Sequence, residues 1–110
     1  MVEGSSTRER RLLERAQAGD QNAFASLMSP HGDRMWGVCL RICGNTADAE
    51  DALQEALVAA WRNLGKFRGD SKLSTWLYRV ASNASLMLIR KRRDVPIDTM
   101  EYEPTASSQS

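Results

Sequence analysis

Apolar residues recur every three or four positions along most of this chain, and that spacing constrains the fold more than any other feature. The pattern begins after Arg8 and ends near Leu88. Side chains repeating at this interval cover one face of an α-helix. No segment alternates apolar and polar residues as a half-buried strand would. The sequence therefore predicts an all-α fold, a compact bundle of about four helices, over residues 8–93.

Helix-ending residues divide this pattern into segments. Gly19 ends the first helix, and Asp20 is placed to cap the second. Pro30 lacks a backbone donor and crowds the preceding turn, so it predicts a kink or break within the second helix. Gly44 ends that helix. The segment Gly65–Ser74 has no apolar period and predicts a basic loop before the fourth helix. Ser71 or Ser74 is placed to cap that helix. The apolar stripe of the fourth helix is predicted to consist of Leu73, Leu77, Val80, Ala84 and Leu88.

The formal net charge of +1 is the sum of three unlike blocks. Residues 1–61 hold six basic and nine acidic residues, and residues 62–93 hold nine basic and one acidic. Residues 94–110 hold four acidic and no basic residues. The basic block indicates either a polyanionic partner or a solvated helix face. The composition of both ends predicts a disordered N-terminus over 1–7 and an acidic linker or tail over 94–110.

A length of 110 residues accommodates one small domain with tails. No apolar run approaches about 18 residues, and the charged N-terminal segment is unlike a secretory signal. Two cysteines make no disulfide framework. These features predict a cytoplasmic protein with no membrane insertion.

The third helix, capped by Asn45 or Thr46, begins with a cluster of acidic residues. Four of its polar side chains lie on or beside one face: Asp48, Asp51, Gln54 and Glu55. An apolar stripe of Leu53, Leu57 and Trp61 adjoins them. This acidic ridge fits either a basic helical partner or an ordinary charged first turn. Because no nucleophile, histidine or glycine-rich cradle accompanies the carboxylates, the chain is not predicted to be an enzyme.

The loop and fourth helix mix aromatic, basic and amide side chains, which suits single-stranded nucleic acid because bases stack on rings and cations track phosphates. Core packing is the alternative for each aromatic residue. Arg79, Asn83 and Arg90 recur on roughly one helix face, away from the apolar stripe. The candidate DNA-binding residues are Lys66, Phe67, Arg68, Asp70, Ser71, Lys72, Ser74, Thr75, Trp76, Arg79, Asn83, Arg90, Lys91, Arg92 and Arg93.

Cys39 and Cys43, with His31 upstream, are the remaining candidates for chemistry. Cysteines four residues apart could contribute two ligands to a metal, but a structural zinc site needs four and the chain has one histidine. The two cysteines are therefore predicted to be small buried core residues, with no metal and no cofactor.

Four segments together resemble region 2 of bacterial RNA polymerase sigma factors, in particular the extracytoplasmic-function group of the sigma-70 superfamily. They are AQAGDQNAF (16–24), DAEDALQEALVAAW (48–61), FRGDSKLSTWLYRVASNAS (67–85) and LIRKRR (88–93). The resemblance runs from about Leu12 to Arg93. It implies a promoter-recognition domain that acts on core polymerase and helps to melt the −10 element.

The resemblance also implies a role for each surface. The acidic ridge would dock on the coiled coil of the polymerase β′ subunit, and the Gly65–Ser74 loop would receive a base flipped out of the non-template strand. Neighbouring bases would be read by Thr75, Trp76, Arg79 and Asn83, and Arg90–Arg93 would grip phosphates. In housekeeping sigma factors a pair of tryptophans stands where Trp76 and Leu77 stand here. Trp76 is therefore expected to act as a wedge while Leu77 turns inward.

Some features depart from the family pattern. Many members carry a polar or acidic residue at the position of Met87, so an apolar residue there either alters the edge of the DNA surface or enlarges the core. Pro30 and Gly32 interrupt a helix that is usually continuous. Full members carry a second domain that reads the −35 element, which is not found here, so the chain is expected to be an isolated, monomeric domain. An anti-sigma factor is a further expected partner, and a helical module acting mainly through such a partner is the alternative function.

Overall fold

The computed structural model describes residues 2–92, with side chains described from residue 7 onwards. Within that range the protein is helical and no strand is found, which confirms the predicted all-α bundle. The five α-helices are α1 (Val2–Gln17), α2 (Gln21–Met28), α3 (Gly32–Cys43), α4 (Thr46–Asn63) and α5 (Leu73–Arg92). None of the helices within the described residues is long and apolar enough to cross a membrane.

The N-terminal helix differs from the prediction. The sequence predicted disorder over residues 1–7, whereas α1 begins at Val2 and the predicted start at Arg8 lies inside it. Residues 2–7 contain no proline. Their single glycine lowers helix propensity by about 1 kcal/mol, which does not end a helix that continues for several turns.

The turns between helices follow the predicted helix-ending residues. Gly19 adopts a φ of +104°, and the Asp20 side chain accepts a hydrogen bond from the Ala23 amide at the start of α2. Pro30 lies in a 3-10 turn, Ser29–His31, that separates α2 from α3, so the predicted break is confirmed. Gly44, with a φ of +85°, ends α3.

Alanines on one face of α4 allow the bundle to pack closely. Ala49, Ala52, Ala56 and Ala60 are fully buried. Because an alanine side chain is short, helices α3 and α5 can both approach the α4 backbone. Leu53, Leu57 and Trp61, which the sequence predicts as the apolar stripe of this helix, are instead half-buried beside the alanine face. Trp61 packs edge-to-face on Phe24 of α2, with ring centroids 5.0 Å apart.

The buried face of α5 is narrower than its predicted apolar stripe. Leu73, Leu77, Ala81 and Ser85 are buried, whereas Val80, Ala84 and Leu88 are half-buried. The inward orientation expected of Leu77 is therefore confirmed. The Ser85 hydroxyl donates a 2.9 Å hydrogen bond to the Ala81 carbonyl, which satisfies a polar group that no water reaches.

The start of α5 is capped differently from the prediction. The sequence predicts Ser71 or Ser74 as the cap, but Ser74 lies inside the first turn. The Trp76 amide donates to the Lys72 carbonyl, which makes Lys72 the first residue of the hydrogen-bonded turn. The last described residue of α5 is Arg92. Arg93 and the predicted tail over 94–110 lie outside the described residues.

Candidate nucleic-acid interface

The loop between α4 and α5 begins with a short 3-10 turn, Leu64–Lys66, and continues as irregular backbone over 67–72. Gly69 has a φ of +85°, a backbone conformation that residues other than glycine rarely adopt. The predicted loop, Gly65–Ser74, is therefore shortened at both ends by helical turns.

A glutamine on α1 fixes the near end of this loop. The Gln17 amide nitrogen donates to the Leu64 carbonyl at 2.9 Å and to the Phe67 carbonyl at 3.2 Å. These two bonds join residues that are 47 and 50 positions apart. Sequence reasoning missed Gln17 because no local pattern reports a contact over such a separation.

Two aromatic rings form the floor of the loop. The Phe67 and Trp76 ring centroids lie 5.3 Å apart, with planes inclined at 48°. Both rings are half-buried and pack against the hydrophobic core. The core-packing alternative is therefore confirmed for both rings, and each ring is also partly exposed.

Exposed polar side chains surround this floor and continue along α5. Lys66, Arg68, Asp70 and Lys72 are exposed in the loop, and Ser71 and Ser74 are partly exposed. On α5, Thr75, Arg79 and Asn83 are exposed and four residues apart, which places them along one side of the helix. The structure thus brings most of the predicted DNA-binding residues onto one continuous surface.

Arg90 is a correction to the prediction of a phosphate contact. It is only 6% exposed, and its Nη1 lies 3.8 Å from the Met87 sulfur. Arg90 lies seven positions, about two turns, beyond Asn83 and so starts from the same side of α5, but its long side chain is buried. Lys91, one position on, is exposed.

Arg92 connects the acidic ridge of α4 to the basic C-terminal turn of α5. Its Nη1 lies 2.6 Å from Asp48 Oδ1, and its Nη2 lies 2.5 Å from Asp51 Oδ2. Hydrogen bonding to Asp51 is the main cause that raises the pKa of Arg92. The C-terminal turn of α5 is thereby held against the N-terminal turn of α4. Of the acidic ridge, Gln54 and Glu55 remain exposed.

Asn45 organises the start of the ridge. Its side-chain oxygen accepts from the Asp48 amide at 2.9 Å, and its side-chain nitrogen donates to Asp48 Oδ2 at 3.1 Å. This reciprocal cap confirms Asn45, rather than Thr46, as the capping residue. Asp48 is consequently held by both Asn45 and Arg92.

The cysteines are buried, as the sequence predicted. Cys39 and Cys43 are free thiols in the core, and burial raises the pKa of each. A raised pKa keeps both thiols protonated and unreactive near neutral pH. Among residues whose side chains are described, no group of three or more His, Cys, Asp or Glu is arranged to hold a metal ion.

Comparison with known proteins identifies the family. The profile of sigma-70 region 2 matches residues 27–95. The chain belongs to the sigma-70 region 2 family. SigW of Bacillus subtilis, an extracytoplasmic-function sigma factor, is 38% identical over 84 residues, which cover 76% of this chain and 45% of SigW. The predicted resemblance to the extracytoplasmic-function group is thereby confirmed. The chain spans about half the length of several curated sigma factors that it matches.

Two solved structures share this fold. An engineered region 2 of sigmaE, solved in complex with GTAAAA, superposes with a TM-score of 0.68 and 34% identity, covering 80% of this chain and 94% of that one. CnrH, solved in complex with the cytosolic domain of CnrY, gives a TM-score of 0.66 and 30% identity, covering 79% of this chain and 59% of that one.

Proposed function

We propose that this sigma region 2 domain binds core RNA polymerase and, on it, recognises and helps to melt the −10 promoter element. The observation that carries the proposal is the continuous surface made by the basic loop, the Phe67–Trp76 pair and the exposed side of α5. The engineered sigmaE region 2 complexed with GTAAAA supports it, since that domain has the same fold.

The loop has the chemistry needed to hold one base flipped out of the non-template strand. Unstacking a base costs a few kcal/mol, and stacking on an aromatic ring returns about 1–3 kcal/mol. Trp76, half-buried beside the loop, is positioned to act as the wedge that separates neighbouring bases. Asn83 offers an amide that can form two hydrogen bonds with a base edge, which would add sequence discrimination.

The other part of the proposed function, docking on polymerase, is assigned to the acidic ridge at the start of α4. Gln54 and Glu55 are the exposed members, and Asp48 and Asp51 share Arg92. A basic helical partner such as the β′ coiled coil would meet a ridge whose first turn is already held in place. The chain would act in the cytoplasm, at the nucleoid, through this contact with polymerase.

The DNA half of the proposal is tested by fluorescence anisotropy of labelled single-stranded GTAAAA and of its complement, titrated with the full chain. Asn83→Ala and Lys72→Ala should each weaken GTAAAA binding by about 5- to 100-fold, because a base contact is worth about 1–3 kcal/mol. Arg34→Ala, an exposed arginine on α3, is the matched control and should bind as the wild type does. Unchanged affinity and unchanged strand preference in both variants would rule out the assigned surface.

The polymerase half is tested by co-purification of the full chain with core polymerase. Glu55→Ala and Gln54→Ala should reduce the recovered complex, whereas Glu14→Ala, an exposed carboxylate on α1, should not. Full recovery of the complex with both ridge variants would contradict the assignment of α4.

Inhibition by an anti-sigma protein is the second candidate function. CnrH, a relative in fold, was solved with the cytosolic domain of CnrY, so this fold is known with a protein partner. The same acidic and basic surfaces would then be covered by the inhibitor. A chain that bound a partner protein but neither core polymerase nor single-stranded DNA would favour this function alone.

A further inference from the structure

Met87 is an exposed apolar side chain on the proposed DNA surface. It is 52% exposed and lies one helical turn beyond Asn83 on α5. Of the two possibilities for this position, a larger core or an altered DNA edge, its exposure removes the first. The exposed part of this side chain adds nothing to the core and is accessible to a ligand bound along α5.

The spacing along α5 places Met87 in series with the residues that would read bases. Arg79, Asn83, Met87 and Lys91 are four residues apart, and all are exposed. Each step advances about 6 Å along the helix and about 40° around it. One step therefore corresponds to roughly two stacked nucleotides at about 3.4 Å each. A strand that contacts Arg79 and Asn83 would reach Met87 next.

The surroundings of Met87 favour nucleic acid over an unrelated apolar partner. The whole of α5 contains no acidic residue, and Lys91 lies exposed one turn further on. The Arg90 Nη1 lies 3.8 Å from the Met87 sulfur, so a buried side chain supports the thioether from below. The result is one apolar group set into a cationic surface.

We propose that Met87 contacts the 5-methyl group of a thymine on the Lys91 side of the base read by Asn83. This inference rests on the proposed function, because it extends the same DNA surface. The thymine methyl is the only apolar substituent that a base presents on its major-groove edge, and apolar side chains are what recognise it. Met87 would thus set a sequence preference that a carboxylate or amide at this position would not.

Selection of randomised DNA by the full chain tests the contact. The pool is made both as single strands and as forked duplexes. Each form is prepared once with thymine and once with uracil, a base that differs from thymine only in lacking the 5-methyl group. The wild type should enrich thymine at one position. Enrichment of uracil at that position should be about 3- to 4-fold lower, because uracil lacks the methyl group that Met87 would bury. Met87→Gln should lose the preference in both pools, and Met87→Leu should keep it.

Val58→Gln is the control, since Val58 is 48% exposed on α4 and the exchange has the same apolar-to-amide character. It should select as the wild type does. The inference would be overturned by equal enrichment of thymine and uracil at every position, or by a thymine preference that Met87→Gln retains. In either case, selection of other bases would still support the proposed function. Absence of any selected sequence, also when the chain is bound to core polymerase, would overturn both.

Discussion

Gln17 belongs to α1 but fixes the loop that follows α4. Its amide donates to two carbonyls, those of Leu64 and Phe67, and so sets where Phe67 begins the aromatic floor. The Leu64 carbonyl also accepts from the Phe67 amide at 3.0 Å, so the main effect of the Gln17 bonds is to hold α1 against the loop. The shape of the proposed base pocket therefore depends on a residue distant in sequence.

Replacing Gln17 with Met, which has a similar shape and no donor, should weaken GTAAAA binding by about 3- to 10-fold. The free energy of unfolding should fall by about 1–3 kcal/mol, since each lost hydrogen bond is worth about 0.5–1.5 kcal/mol. Anisotropy and urea denaturation measure the two effects, with Gln21→Met on the exposed face of α2 as the control. A loss of stability with unchanged affinity would show that the loop position does not matter for binding.

Asp20 should make stability depend on pH. The Ala23 amide first, and then the Arg15 guanidinium, lower the pKa of Asp20 in the folded state. Its stabilising effect is present above the unfolded value of about 3.9 and is lost as the pH falls through the lower folded value. The advantage of wild type over Asp20→Asn in urea denaturation should therefore disappear in strong acid. A difference that stayed constant from neutral to acid pH would contradict this.

At the scale of helices, Arg92 holds the end of α5 against the start of α4. Its two ion pairs, to Asp48 and Asp51, lie at the surface, where such pairs are worth about 0.2–1 kcal/mol. A double-mutant cycle with Arg92→Ala and Asp48→Ala should give a coupling energy in that range, and added salt should reduce it. Additive effects of the two substitutions in urea denaturation would show that the pair contributes nothing.

The alanine face of α4 sets how closely the helices approach. Ala56 is fully buried where a larger side chain would have to displace α3 or α5. Ala56→Leu should lower the free energy of unfolding by about 1–3 kcal/mol through overpacking. Ala47→Leu, on the exposed first turn of the same helix, should have little effect. An equal effect of the two substitutions on thermal or urea unfolding would disprove close packing at Ala56.

Helix ends were predictable from the sequence because Gly19, Asp20 and Pro30 act through local backbone geometry. The buried face of α4 was harder to predict, because alanine has little apolar surface and the neighbouring leucines suggested a different core face. The burial of Arg90 could not be predicted, since charge favours the surface and only the packed structure shows that this side chain is covered. The Arg92 pairs required tertiary structure, because they join residues 41 and 44 positions apart.

At the scale of the molecule, the structure arranges the charge blocks on separate helices. Besides Arg92, which pairs with Asp48 and Asp51, five exposed cations lie in the loop and α5 among the described residues: Lys66, Arg68, Lys72, Arg79 and Lys91. If each neutralises one phosphate, the logarithm of affinity for single-stranded DNA should fall with the logarithm of salt concentration at a slope of about −3.5. Lys72→Ala should make that slope shallower by about 0.7. A slope near zero would mean that the basic block is only a solvated face.

The most direct test of the account is to map two ligands onto one protein by backbone amide NMR. The full chain is titrated separately with single-stranded GTAAAA and with a peptide of the β′ coiled coil. We expect DNA-induced shifts at the loop over 66–72 and along α5 to Lys91, and peptide-induced shifts at the first turns of α4. Shifts from both ligands on the same residues, or no DNA-induced shift at the Phe67–Trp76 pair, would contradict it.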